Sequence, residues 1–381
     1  MTRGMIILQV FVERLLYFGS IHVYRIVPEI PEGLMNVLDR KVVQNLTVNR
    51  ERARALLQPS MMSQYERQTL QKTRRLTEDE TIPQYSYIRI HFQPKRFSVF
   101  HSTDWKKRII AQGTEFLIVN KPPALPCPPT VDNVIENVLH GAAIAIESTE
   151  PLHITTRIDH ATEGLVVLGK TSQFVSQFLS SQSRRNDSRK LYRAVVAPHK
   201  DGINTLGLIT QHALVNFKIP GMPFLTLILP NTQATGARQE MRKKQPVECQ
   251  MIIHSASMTR INDNFQRTLC LADDIAVELE IELITGRTHQ IRAQLAALQT
   301  PILGDTLYNP LQDIRMREQL LELEEDGATP DAIYRKLGGD RLLYEPQKGI
   351  GLQASKLELA DGQLLGNPGI TVFEAGEPWW R

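Results

Sequence analysis

The chain has 381 residues, which suits two domains or one large domain with an arm. Hydrophobic residues make up 42% and charged residues 22%, an ordinary globular mixture with enough apolar side chain for a sizeable core. Lys+Arg total 44 against 41 Asp+Glu, so the net charge of +3 neither demands nor excludes a nucleic-acid partner; clustering of the basic residues decides that. Cys127, Cys249 and Cys270 are far apart and form no C-x-x-C, which argues against a zinc knuckle or a disulfide framework and for a reducing compartment.

Residues 5–24 are apolar-rich but broken by Glu13, Arg14 and His22. They are too short and too charged to span a bilayer. They also make a poor transit peptide, and the encoded start reads as incomplete or mis-called. Residues 1–80 are basic, with Arg40, Lys41, Arg50, Arg52, Arg54, Arg67, Lys72, Arg74 and Arg75. Scattered Lys and Arg of this kind read first as a solvated helical face, and second as an arm that tracks phosphates.

Residues 88–92 alternate Ile88, Ile90 and Phe92 with Arg89 and His91, as a half-buried strand does. The run FLIVN (116–120) reads as a buried strand, ended by the proline-rich loop KPPALPCPP (121–129). Residues 131–146 have a helical pattern. GLVVLG (164–169) is a second buried strand, and 172–181 a helix with Phe174, Phe178 and Leu179 at helical spacing. The basic residues Arg184, Arg185, Arg189 and Lys190 lead into a strand at 191–197. The clearest strand is 277–283, with Val277, Leu279, Ile281 and Leu283 opposite Glu278, Glu280 and Glu282. Gly286 breaks it, Thr288 is the expected helix N-cap, and Ile291, Leu295 and Leu298 form the following apolar stripe. Residues 311–338, rich in Leu, Glu and Arg, read as a helical hairpin in an insertion spanning 311–345. The expected class is α+β, with a mixed, mainly antiparallel sheet flanked by helices and loops.

Two segments carry the chemistry. TRIDHATEG (156–164) sets Arg157 and Asp159 two residues apart, on one side of an extended backbone. Taken alone, Asp159 reads as a turn-capping side chain. GRTHQIR (286–292) lies at a strand-to-helix junction, where backbone N–H groups and Arg287 suit a carboxylate or phosphate. His289 has no second ligand at metal spacing and reads as an ordinary hydrogen-bonded histidine. No carboxylate pair of the glycosidase kind is marked, and no glycine-rich phosphate or dinucleotide loop occurs.

In this order the segments resemble the RluA-type pseudouridine synthase family, whose nucleophile signature reads H-R-L-D-x-x-T-S-G. The likeness runs through LIVNKPPALP (117–126), TRIDHATEG, KLYRAVV (190–196), LITGRTHQIRAQLAALQTPILGDTLY (283–308) and GIGLQASKLEL (349–359). It covers roughly residues 105–381 and is nearest to a plastid-assigned plant branch of that family. Thr156, Glu163 and Gln294 stand where the family has His, Ser and His, and Glu163 adds a negative charge near the nucleophile position.

The resemblance implies an isomerase that detaches uracil from a flipped-out uridine and reattaches it through C5, with no cofactor and no metal. It implies Asp159 as nucleophile, Tyr192 stacked on the base, and Arg287 paired with Asp159. Arg157 would fill the vacated stack and Ile291 would wall the base. Thr162, Gly164, Lys121 and Arg292 would also serve the substrate, with Lys121, Arg292, Arg184, Arg185, Arg189 and Lys190 meeting phosphates. The implied partner is structured RNA, tRNA or rRNA, bound by a monomer away from membranes. Plastid or mitochondrion is the expected compartment, with cytoplasm the alternative. The catalytic domain would span 101–381, behind a basic extension (1–100) that resembles an S4-type RNA-binding domain. The rivals are a non-catalytic RNA-binding protein that kept the fold, and a hydrolase of small nucleosides or glycosides.

Overall fold

The computed structural model describes residues 20–23, 47–48, 74–75, 88–91, 95–130, 133–182, 188–198, 209–217, 225–228, 247–325, 348–360 and 371–381. It divides into two compact units, residues 1–96 with 129–136, and residues 97–128 with 137–381. Apart from Arg74 and Arg75, the basic residues named for 1–80 lie outside the described residues. So do Arg184, Arg185 and the part of the expected insertion beyond Glu325.

In the first unit, β1 (Ser20–Val23), β2 (Thr47–Val48), β3 (Arg74–Arg75) and β4 (Ile88–His91) form an antiparallel sheet ordered β1-β4-β2-β3. In its 129–136 segment Asn133 donates to Lys95 O at 2.8 Å and to Glu136 Oε2 at 2.9 Å. The Glu136 carboxylate also accepts from Arg96 Nε at 2.8 Å.

The second unit is organised by an eleven-stranded mixed sheet. Its strands are β5 (Ile109–Gln112), β6 (Phe116–Lys121), β7 (His153–Ile154), β8 (Glu163–Gly169), β9 (Ser188–Val196), β10 (Ile209–Phe217), β11 (Leu225–Ile228), β12 (Val247–Arg260), β13 (Ile275–Leu283), β14 (Leu352–Leu359) and β15 (Thr371–Glu374). The order is β11-β10-β12-β13-β9-β14-β8-β6-β5, with β15 on β14 and β7 on β8. Every pairing is antiparallel except β14 with β8, at the sheet centre.

The unbroken apolar runs of β6 and β8 follow from burial on both faces. Leu117, Val119, Val166 and Leu168 pack against Phe100 of α1 (Val99–Ser102), Trp105, and Val138 and Ala142 of α2 (Val138–Ala145). Phe116, Ile118, Leu165 and Val167 pack on the other face against Phe174 and Phe178 of α3 (Ser172–Gln182). Each such buried phenylalanine contributes about 2–3 kcal/mol. Thr171 starts α3 by accepting the Phe174 N–H at 3.1 Å. The helix expected at 131–146 begins only at Val138, where Asn137 caps it by accepting the His140 N–H at 3.1 Å.

Strand β13 has the alternation its sequence predicts. Val277, Leu279 and Ile281 meet Ile291 and Leu295 of α5 (Gln290–Ala297), while Glu280 and Glu282 face outward. Glu278 departs from that pattern: it is buried and accepts from Trp380 Nε1 at 3.0 Å and Arg381 Nη2 at 2.7 Å. The C-terminal segment also binds Asn262, whose side chain caps α4 (Asp263–Leu269) and donates to Trp379 O and Arg381 O. A last helix, α6 (Ile314–Glu325), opens the expected insertion.

Gly164 sits at the parallel β8–β14 contact with φ +121°, and a Cβ there would run into the backbone N, C and O of Ala354. Gly164→Ala is expected to lower unfolding free energy by roughly 3 kcal/mol or more, measured by urea denaturation, because strain and backbone overlap act together. Its task is to let two strands approach, so the substrate contact expected of Gly164 is replaced by a structural one.

Candidate active site

The turn that delivers Asp159 into the sheet centre is pinned from several sides. The Thr162 N–H donates to Asp159 O at 3.1 Å, the Leu125 N–H to His160 O at 3.1 Å, and the Ile350 N–H to Ala161 O at 3.1 Å. Lys121 is fully buried, and its ammonium donates to Pro122 O at 2.9 Å, Leu125 O at 2.8 Å and His160 O at 2.9 Å. Three carbonyls use all three of its protons, so Lys121 fastens the proline-rich loop to the Asp159 turn and does not reach a phosphate. Burial pulls its pKa down to about 8, which still leaves it largely charged at neutral pH.

Asp159 lines a cavity of about 510 Å³ and keeps 23% of its side-chain surface open. Among the described residues its ion pair comes from Arg292 Nη1 at 3.6 Å, and His289 Nε2 stands 3.8 Å away. Burial pushes its carboxyl above the usual range, and Arg292 opposes this most, followed by Lys121 and Arg157. The arginine that meets Asp159 is thus Arg292, five positions beyond the one expected. Arg287 is exposed at the cavity wall, because it precedes helix α5 and its backbone N–H is tied to Gln290 Oε1 at 3.1 Å. The N-cap is His289 in the left-handed conformation (φ 53°), not Thr288.

Arg292 is 1% exposed, so it makes no phosphate contact. Its Nε donates to Asp305 Oδ2 at 2.7 Å and its Nη2 to Asp305 Oδ1 at 2.9 Å, a two-pronged pair. Its guanidinium carbon stands 4.9 Å from the centre of the Tyr308 ring. Tyr308 Oη accepts the Thr226 N–H at 2.9 Å and lies 3.0 Å from His289 Nδ1. Sequence reasoning missed Asp305 and Tyr308 altogether and read His289 as an ordinary histidine.

Tyr192, on β9, lines the same cavity, and burial together with the Asp159 charge holds its hydroxyl far above the normal range, hence neutral. Ile291 (4% exposed) and the exposed Arg157 also line it. Thr162 lines it too; its hydroxyl oxygen is buried and has no hydrogen-bond partner among the described residues. Lys190 lines the cavity with its charge disfavoured by burial, whereas Arg189 is committed to Glu282 and Glu358 at 2.8 and 2.9 Å and is a poor phosphate ligand. Glu163 points elsewhere. It is 2% exposed, pairs with Arg108 at 3.1 Å and accepts the Trp379 N–H at 2.9 Å, so its charge joins β8 to the C-terminal segment.

A family model described as RNA pseudouridylate synthase matches residues 115–297, the span that holds Asp159, Tyr192 and Arg292. The chain is 30% identical over 325 residues to "RNA pseudouridine synthase 6, chloroplastic" of Arabidopsis thaliana, covering 82% of this chain and 64% of that one. The chain is thus similar to the RNA pseudouridylate synthase family. Its match to the enzyme of the same name in Oryza sativa subsp. japonica is 29% identical over 323 residues, 82% of this chain and 63% of that one. "Ribosomal large subunit pseudouridine synthase D" of Vibrio cholerae is 24% identical over 212 residues, 55% of each chain. The chain therefore spans just under two thirds of the length of the two plant relatives. Asp305 and β14 fall beyond the residues that the pseudouridylate synthase model matches, yet β14 lines the cavity and Asp305 completes the Arg292 pair.

Among the described residues, no helix is long and apolar enough to cross a membrane, and no group of three or more His, Cys, Asp or Glu could hold a metal ion.

Proposed function

We propose that the protein is an RNA pseudouridine synthase that isomerises a uridine in structured RNA, with Asp159 as the attacking carboxylate. The observation that carries this reading is Asp159 itself: one carboxylate on the wall of a cavity, facing Arg292 and a neutral tyrosine, within the segment shared with the family. A cavity of about 510 Å³ suits one nucleotide, and a base inside a stack cannot reach its wall, so the uridine flips out to enter.

Asp159 attacks the flipped nucleotide as the carboxylate, which the Arg292 charge favours against burial. Tyr192 lies against the base with a hydroxyl that keeps its own proton; as the C1′–N1 bond is exchanged for C1′–C5, C5 loses its proton and N1 gains one, and this hydroxyl can relay the proton leaving C5. Ile291 walls the base, and the unpartnered Thr162 hydroxyl offers a hydrogen bond to the bound nucleotide. Arg157 and Arg287, both exposed at the cavity, meet RNA phosphates or stack on the strand that the base has left. The reaction is an internal rearrangement and consumes no co-substrate.

The names of the relatives support plastid RNA as the first set of substrates to try, and the Vibrio enzyme's name makes large-subunit rRNA the first within it. Transcripts of plastid large-subunit rRNA and of plastid tRNAs, labelled with [5-³H]uridine, test the proposal. Tritium release from one of them, with none from free uridine, is the expected result. Loss of labelled uracil from the RNA or from free uridine, with the tritium still on the base, would replace this reading with a hydrolase.

A further inference from the structure

Asp305 touches neither the cavity nor Asp159, yet it takes two of the three nitrogens of the guanidinium that does face Asp159. Its carboxylate also accepts the Tyr308 N–H at 3.2 Å, and its own N–H donates to Ile302 O at 3.1 Å, so it is fixed in the Ile302–Tyr308 turn. That turn holds both partners of Asp159. Asp305 grips Arg292, and three residues on Tyr308 lies under the guanidinium and against His289. Tyr308 Oη accepts the Thr226 N–H and lies 3.0 Å from His289 Nδ1, so it braces the imidazole whose Nε2 faces Asp159.

We infer that Asp305 is a positioning residue that aims the Arg292 guanidinium at Asp159 and at the same time withholds part of its positive charge from it. A guanidinium paired at 2.7 and 2.9 Å with one carboxylate presents the other, at 3.6 Å, with a largely neutralised ion pair. Among the described residues, the other charged or titratable groups around Asp159 and its cavity are Arg157 and His160 in its own turn, Lys121 at the end of β6, Cys127 in the proline-rich loop, Lys190 and Tyr192 on β9, Arg287 and His289 before α5, and Lys356 on β14. None of these bonds to Asp305, so a change at Asp305 reaches Asp159 through Arg292. The consequence is a carboxylate steered in place by a cation yet left basic enough to react.

The inference rests on the proposed role of Asp159 in the reaction, but its test does not need turnover. The ¹³C carboxyl resonance of Asp159 would be titrated in the wild-type chain, in Asp305→Asn, and in the double variant Arg292→Met/Asp305→Asn. Asp305→Asn is expected to shift the Asp159 midpoint down by about one pH unit, because Arg292 then no longer shares its charge with the Asp305 carboxylate. The acid limb of kcat/KM on labelled RNA is expected to move with it. The double variant is expected to titrate above wild type, since the cation is gone.

A midpoint unchanged or raised in Asp305→Asn overturns the inference, whatever happens to the rate; a purely structural role would lower the rate and leave the midpoint alone. Should Asp305→Asn not fold, the double variant decides, since its two buried charges leave together. Titration at the wild-type midpoint then refutes the coupling. Absent tritium release by the wild-type chain, with the midpoints behaving as expected, would sink the proposed function and leave this inference standing.

Discussion

Asp159→Asn is expected to abolish tritium release from RNA, by at least about 10⁴-fold, while leaving the chain as stable as wild type or more so. The scale follows from enzymes that lose their nucleophile outright. The stability follows from linkage. Burial raises the folded-state pKa of Asp159 above its unfolded value, so the ionised carboxylate destabilises the fold at pH values above that raised pKa. The penalty fades as pH falls through it and is gone below the unfolded value. A neutral asparagine of the same shape escapes the penalty at neutral pH.

The same shift sets the acid limb of the wild-type rate. Only the ionised form attacks, so activity falls as pH drops through a pKa above the ordinary aspartate value of about 3.9. Rates from pH 5 to 8, with urea midpoints at each pH, check both parts. An Asp159→Asn chain that still releases tritium, or one that unfolds far more readily at neutral pH, contradicts the assignment.

The sheet centre was legible because its residues obey one rule each. FLIV and LVVL are apolar throughout, and both strands are covered on both faces. Val277 to Leu283 alternates, and one face of it is covered. Strand β12 was not legible: VECQMIIHSASMTR holds no single phase, and a register shift between Ile253 and Ser255 breaks the alternation. Helix α2 was misplaced at its start, since the apolar pattern runs on ahead of the Asn137 cap that fixes the first turn.

At the site, the family likeness pointed to the segments that line the cavity, Asp159 among them, but it did not say which arginine of GRTHQIR faces inward. The helix phase carried that answer. Arg292 lies between Ile291 and Ala293 on a helix buried from Gln290 to Ala296, and a buried guanidinium requires a carboxylate. That requirement leads to Asp305, thirteen residues on in the LGDTLY stretch, which sequence reasoning used only as part of a likeness. Lys121 and Glu163 were misjudged for one shared reason. A charged side chain beside a candidate nucleophile suggests a role toward substrate, yet both are buried and spend their hydrogen bonds on the protein's own backbone and on Arg108.

Arg292→Met and Arg287→Met should therefore behave as opposites. Removing the Arg292 guanidinium strands the Asp305 carboxylate in the interior, with the Tyr308 N–H as a remaining donor, and such a loss costs about 3–5 kcal/mol. It also removes the cation that most opposes the burial of Asp159, so the acid limb of the rate moves to higher pH and kcat falls by roughly 10²- to 10³-fold. Arg287 is exposed and outside the described ion pairs of Asp159, so its replacement should change stability by no more than about 0.5 kcal/mol. Its effect should appear as weaker RNA binding, with a smaller dependence of affinity on salt. Urea midpoints, single-turnover rates and binding at two salt concentrations separate the two variants. If Arg287→Met loses single-turnover rate as Arg292→Met does, while its salt dependence stays that of wild type, then Arg287 closes on Asp159 when RNA binds, and the pairing described for Arg292 is not the one the reaction uses.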